Sequence, residues 1–227
     1  RFFDISFHAK DKTIVFLGTK GNGLWKSVDA GKTWEKKFNQ DRVLASDGDV
    51  YRVAVSASDP QKLYAAVYQN KRGRVLKSED GGEIFREVYF VSKEGFGVFD
   101  AHVDPKNSEH VFISTGQVGV LETWDGGATW HVKHWFPGPV VRLIVSPRTT
   151  SEMYAFTDGG IIWRSVDGGT KWTDALQGFT QQNRSANRAR ESFPMRTSLF
   201  SFSQFGSDAV QFFPDPNSFS TVYLVRG

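Results

Sequence analysis

Ser27-Val28-Asp29-Ala30-Gly31-Lys32-Thr33-Trp34 decides how the whole chain is read, because the pattern Ser-x-Asp-x-Gly-x-x-Trp returns three more times. The copies are Ser78-Glu79-Asp80-Gly81-Gly82-Glu83-Ile84-Phe85, Thr123-Trp124-Asp125-Gly126-Gly127-Ala128-Thr129-Trp130 and Ser165-Val166-Asp167-Gly168-Gly169-Thr170-Lys171-Trp172. Their aspartates recur at intervals of about 40 to 50 residues, the period of a four-stranded propeller blade. Within a copy, Asp accepts hydrogen bonds from backbone N–H groups just ahead of it, and Gly takes positive φ without steric cost. Each stretch is therefore a hairpin tip. The hydroxyl of Ser27, Ser78, Thr123 or Ser165 braces the turn from the incoming strand, and the ring of Trp34, Phe85, Trp130 or Trp172 closes it. Burial of such a ring is worth about 1.5–3 kcal/mol, more than the turn's own hydrogen bonds contribute net.

The segments between the tips read as short strands. Blade 1 covers about 1–45, blade 2 about 46–94, blade 3 about 95–137 and blade 4 about 138–180. Asp59-Pro60, Asp104-Pro105 and Ser146-Pro147 supply equivalent turns, and the unbroken apolar run Ile14-Val15-Phe16-Leu17 indicates burial on both faces. A polar stretch at about 181–198, with Arg184, Arg188, Arg190 and Arg196 against Glu191, reads as an insertion loop. It contains the sequon Asn183-Arg184-Ser185, which bears on a secreted eukaryotic protein only. From about 199 to 227 the strands of half a fifth blade follow without a fifth tip. The expectation is a segment of a larger all-β propeller of six to eight blades, or one that a partner chain completes.

The four tips resemble the Asp-box (BNR) repeat of sialidases, sortilin-type receptors, xyloglucan-degrading glycoside hydrolases and photosystem assembly propellers. That resemblance covers nearly the whole chain. It implies that Ser27, Asp29, Gly31, Trp34 and their counterparts are structural and lie on the outer rim, away from the central channel. It also implies an extracytoplasmic protein, whether secreted, periplasmic or surface-anchored.

Composition narrows the chemistry. The chain has 227 residues, no cysteine and a formal net charge of +3, so disulfides, thiol nucleophiles and thiolate metal sites are out. The mild positive charge favours anionic partners at most, no nucleic acid is indicated, and no apolar run is long enough to span a bilayer. Neither a cofactor nor a metal is expected. His131 and His134 lie three apart on a strand, where alternation sends side chains to opposite faces. The basic hairpin Lys71-Arg72-Gly73-Arg74 is not followed by a helix and is no phosphate loop.

Propellers bind at the mouths of the channel, where the innermost strands converge. Aligned on the turns that follow them, those strands place Asp4, Arg52, Asp100, Arg142 and Gln211 at one level. Two readings of this ring stand: Asp4 with Arg52 and Asp100 with Arg142 neutralise one another across blades, or the ring faces the channel and binds a polar ligand. A sialidase needs an Arg-Ile-Pro motif and a Tyr assisted by Glu. The motif is missing, and Tyr51 is the one tyrosine near the ring. A xyloglucanase-like pair would be Asp4 and Asp100, each beside an arginine that keeps a carboxylate ionised. No Gly-x-Ser-x-Gly or His-Glu-x-x-His occurs. The expected function is a non-catalytic scaffold for a protein or glycan, the alternative being a glycoside hydrolase with catalytic residues partly elsewhere.

Overall fold

The computed structural model describes residues 1–39, 43–117, 119–175, 210–215, 218–219 and 222–226. Every regular element among them is a strand. Blade 1 is β1 (Phe2–Phe7), β2 (Val15–Thr19), β3 (Leu24–Ser27) and β4 (Glu35–Lys37), and blade 2 is β5 (Asp49–Val55), β6 (Leu63–Gln69), β7 (Arg72–Ser78) and β8 (Arg86–Phe90). Blade 3 is β9 (Val98–Asp104), β10 (Asn107–Thr115), β11 (Gly119–Thr123) and β12 (His131–His134), and blade 4 is β13 (Val140–Val145), β14 (Met153–Thr157), β15 (Ile162–Ser165) and β16 (Thr173–Asp174). Each is a four-stranded sheet with its strands side by side in chain order. β17 (Val210–Pro214) and β18 (Val222–Arg226) form a two-stranded antiparallel sheet. The chain divides into two compact units, 1–143 and 144–227. The expected insertion at about 181–198, with Asn183, lies outside the described residues.

Blades stack because each presents an apolar face to the next. Phe16 and Leu24 of blade 1 pack with Val53, Leu63, Ala65 and Leu76 of blade 2. Ala54, Tyr64, Ala66 and Val75 on blade 2's other face pack with Ala101, Val111, Ile113 and Leu121 of blade 3. In the second unit Tyr154 lies against Phe219 and donates its hydroxyl to the Phe219 carbonyl at 3.0 Å.

The hairpin tips are built as their residues require. Ser27 Oγ donates to Asp29 at 2.8 Å and accepts Gly31 N–H at 2.8 Å, while Asp29 accepts the Thr33 N–H at 2.8 Å. The same hydroxyl-to-acid and glycine-to-hydroxyl bonds recur at Ser78, Thr123 and Ser165. Gly31, Gly82, Gly127 and Gly169 all have φ between 83° and 93°. The closing rings depart from expectation. Phe85 is buried, but Trp34, Trp130 and Trp172 are half-buried, so each gains less than full burial would give. They are held by their indole N–H instead, Trp34 to the Gly31 carbonyl (3.0 Å) and Trp172 to that of Gly169 (2.8 Å). Trp130 reaches across to the Val88 carbonyl of blade 2 at 2.9 Å.

A Cβ on Gly127 would lie 2.7 Å from Val88 Cβ, on a backbone of positive φ. Gly127→Val is therefore expected to cost about 2 kcal/mol or more by strain and overpacking together, read as a lower urea midpoint; an unchanged midpoint would rule out this corner.

The corner acids also set a pH dependence. The Thr33 hydroxyl and amide and the Ser27 hydroxyl hold Asp29 down to about 2, and Thr129 and Thr123 hold Asp125 well below the usual range. Asp167 is lowered, first by the Lys171 amide. A folded pKa below the unfolded value of about 3.9 means that ionisation favours the fold. That stability is complete above about pH 5 and is lost as pH falls toward 2. Urea midpoints should thus decline steadily from pH 5 to pH 2.5, with a shallower slope in Asp29→Asn.

Candidate functional site

The innermost strands β1, β5 and β9 share an irregularity. Each ladder with its neighbour slips by one residue, between Phe2 and Asp4, between Val50 and Arg52, and between Asp100 and Val98. The extra residues are Phe3, Tyr51 and Phe99. A bulge takes a residue out of the ladder and re-aims its side chain, and here the three rings meet in an arc. Phe3 and Tyr51 have centroids 4.8 Å apart at 55°, Tyr51 and Phe99 5.8 Å apart at 54°, and all three are half-buried.

Immediately after each ring comes the charged level. Asp4 Oδ2 accepts the Val53 N–H (2.8 Å) and the Ser6 hydroxyl (2.8 Å), and Asp4 Oδ1 lies 3.1 Å from Arg52 Nη1. Ser6 is bridged to blade 2 as well, its hydroxyl lying 2.6 Å from the Val53 carbonyl. Blade 3 repeats the fastening on blade 4's inner strand. Asp100 Oδ2 accepts the Leu143 N–H at 3.3 Å, and His102 Nε2 lies 2.7 Å from the Leu143 carbonyl. A carbonyl only accepts, so His102 carries its hydrogen on Nε2.

Arg52 bridges both acids, with Nε 3.5 Å from Asp100 Oδ1. Burial alone would raise the Asp100 pKa, but His102, Arg52 and Arg142 outweigh it and hold the carboxyl below its ordinary value. The expected pairing is thereby corrected in part. Asp4 does pair with Arg52, whereas Asp100 pairs with Arg52 and His102, and Arg142 is exposed and acts on Asp100 only from beyond ion-pair distance. The register does not distinguish the two, since Arg52 and Arg142 each precede the residue whose backbone the acid clamps; they differ in exposure, Arg52 being half-buried and Arg142 exposed. Gln211 falls on β17, where side chains lie outside the described residues.

Tyr51 has an acidic neighbour in Asp49. Burial, and then Asp49, push its hydroxyl up to about 12, and Asp49 itself accepts the Gly21 N–H at 2.7 Å. A phenol moved in that direction is a poorer nucleophile. The histidine argument also needs correction. A bulge shifts β12 against β11, so that His131 pairs with Glu122 and His134 with Val120; these partners are two residues apart, so simple alternation no longer separates the two histidines. Among the described residues no group of three His, Cys, Asp or Glu could hold a metal ion. Of the basic hairpin, Arg74 pairs with Glu87 and Arg72 lies 3.7 Å from Glu94.

Sequence reading missed the ionic fastenings nearer the rim. Glu83 of blade 2 is held by Lys26 (2.6 Å) and Lys37 (2.7 Å) of blade 1, and Glu109 of blade 3 by Lys62 (2.5 Å) and Lys77 (2.8 Å) of blade 2. In blade 3, buried His110 has Nδ1 2.9 Å from Asp104 and stacks on exposed Trp124 with centroids 3.4 Å apart. That acid–His pair braces one blade and has no nucleophile in the arrangement.

No family model matches the chain. It is 23% identical over 196 residues to an oligoxyloglucan-reducing end-specific xyloglucanase of Emericella nidulans, covering 70% of this chain and 23% of that protein. It is 22% identical over 218 residues to the xyloglucanase Xgh74A of Acetivibrio thermocellus, covering 74% of this chain and 26% of that one. The chain thus spans about a quarter of the length of these curated relatives. Among solved structures, the GH74 enzyme of Niastella koreensis superposes with a TM-score of 0.62 at 20% identity, over 78% of this chain and 30% of that one. YCF48 bound to D1 peptide superposes with a TM-score of 0.61 at 20% identity, over 79% and 56%. The propeller fold is common to them and to this chain.

Proposed function

We propose that the chain is a stretch of an Asp-box propeller of six to eight blades, placed outside the cytoplasm, that binds a partner without turning it over. A protein segment meets the half-exposed arc of Phe3, Tyr51 and Phe99. The observation that carries this reading is the engagement of the two inner-ring carboxylates. Asp4 takes two hydrogen bonds and an arginine, and Asp100 takes a backbone N–H, an arginine and a histidine. A retaining or inverting glycosidase needs one carboxyl that holds a proton near neutral pH, and Asp100 is shifted the wrong way for that. The arc's rings are tilted by more than 50° to one another. They offer edges and clefts suited to apolar side chains. The similar structure of YCF48 is described as bound to D1 peptide, which is in keeping with a peptide ligand.

A glycoside hydrolase with its remaining machinery in other parts of a longer chain is the second reading, favoured by the xyloglucanase names of the curated relatives. One experiment separates them. The protein expressed from the full reading frame is incubated with xyloglucan oligosaccharides, and the 227-residue chain is separately presented to an array of apolar-rich peptides. Expected are no new reducing ends, and peptide binding that Tyr51→Ala weakens about tenfold. Asp4→Asn should lower the unfolding free energy by about 1–3 kcal/mol and leave the array pattern in place. Release of reducing ends that Asp100→Asn abolishes at unchanged stability would replace this reading with the hydrolase.

A further inference from the structure

Blades 1 and 3 carry an acid on the inner ring, blades 2 and 4 an arginine, and the fastenings alternate in the same way. Going from an acid blade to an arginine blade, the Asp-x-Ser or Asp-x-His pair grips one residue's backbone at both N–H and C=O, Val53 in one case and Leu143 in the other. Going from an arginine blade to an acid blade, the contact is the Arg52 guanidinium reaching Asp100 from behind. Over these three junctions the fastening therefore alternates, although the corner motif repeats with every blade.

That alternation defines what is missing on the outward face of blade 1. Ile5, Leu17 and Trp25 stand in register across β1, β2 and β3. Their counterparts on blade 2 are Val53, Ala65 and Leu76, and on blade 3 Ala101, Ile113 and Leu121. Those six are buried against the preceding blade. In blade 1, by contrast, Ile5 is 58% exposed and its neighbour Phe7 51%. Asp4 has its forward contacts to Val53 and Arg52, and among the described residues no guanidinium reaches it from behind as Arg52 reaches Asp100.

We propose that this face is an interface for one further blade of the arginine type, built as blade 2 is, whose inner-strand guanidinium reaches Asp4. Ile5, Phe7, Leu17 and Trp25 are the apolar half of the contact and Asp4 the polar half. A second copy of the chain does not meet these terms. A two-fold pair would bring the same face of each copy together, and that face carries no inner-strand arginine of its own to offer the other copy's Asp4.

The test grafts blades onto the intact 227-residue chain, upstream of Phe2. One graft is a copy of residues 46–94, the arginine-type blade; another is the same graft with its copy of Arg52 changed to alanine; a third is a copy of residues 95–137, the acid-type blade. Amide exchange across β1 and the thermal midpoint are read for each, and sedimentation for the ungrafted chain. The arginine-type graft is expected to slow β1 exchange about tenfold and raise the midpoint. The alanine version should keep less than half of the gain, and the acid-type graft should give none. Equal protection by the acid-type graft, or no protection by any graft, would overturn the proposal. So would an ungrafted chain that dimerises and reverts to monomer on Phe7→Lys, since a second copy would then be the occupant.

Discussion

Gly73→Ala should unfold at markedly lower denaturant than the parent chain, by about 3 kcal/mol, although the glycine has an ordinary backbone conformation. The reason is contact. A Cβ at Gly73 would sit 2.2 Å from the Val98 nitrogen and 2.5 Å from the Gly97 carbonyl carbon. Both atoms are backbone, so no rotamer change relieves the clash. The Gly73 N–H donates to the Phe96 carbonyl at 2.8 Å, and its own carbonyl accepts from Val91 at 2.9 Å. Separating the two stretches would therefore break the Gly73–Phe96 hydrogen bond that ties blade 2 to the start of blade 3. Gly21 is the contrasting case, with φ +65° and nothing within 4 Å of an added Cβ. Gly21→Ala should cost only the conformational penalty, about 1 kcal/mol. Equilibrium urea unfolding of both variants checks the pair, and equal losses would mean that close approach at Gly73 is not what the position serves.

Glu109→Ala should be the other large loss, about 3 kcal/mol. Lys77 retains only 3% of its side-chain exposure and lies between Glu109 at 2.8 Å and the more exposed Glu79 at 2.9 Å. Removing Glu109 leaves a desolvated ammonium with one solvent-screened partner, and breaking a buried pair on one side costs about 3–5 kcal/mol. The lower end applies because Glu79 remains. Replacing both partners, Lys77→Met with Glu109→Leu, removes the charge that needed compensation and should recover most of the loss. A double variant no better than the single one would show that the network's value lies in geometry and not in charge balance.

Much of this architecture was legible in the residues. The corner motif specifies a turn by local chemistry, and local chemistry survives whatever surrounds it, so Ser27, Asp29 and Gly31 behave as their types require. The four four-stranded sheets follow from its spacing. Asp4, Arg52 and Asp100 were legible as neighbours, because equivalent residues of a repeat occupy equivalent places. Their other partners were not, since they depend on how one sheet is rotated and slid against the next. Ser6 and His102 are ordinary strand residues in sequence and become bridging groups only once Val53 and Leu143 lie across from them. The aromatic arc was overlooked although a signal existed: Phe3-Asp4, Tyr51-Arg52 and Phe99-Asp100 each set a ring before the charged residue. What could not be read was the bulge that turns those rings out of the ladder. The rim lysines were hidden for the same reason, as Glu83 and Glu109 lie between 32 and 57 residues from the cations they neutralise.

The alternation of grip and guanidinium reach has a consequence for how such a ring grows or shrinks by gene duplication. Copying one blade in place would set acid beside acid, or arginine beside arginine, at the new junction. Copying an adjacent couple would reproduce both kinds of junction and leave every neighbour with its complement. Lineages that inherit this inner ring intact should therefore change length in steps of two, and a closed ring that kept the rule all the way around would hold an even number of blades.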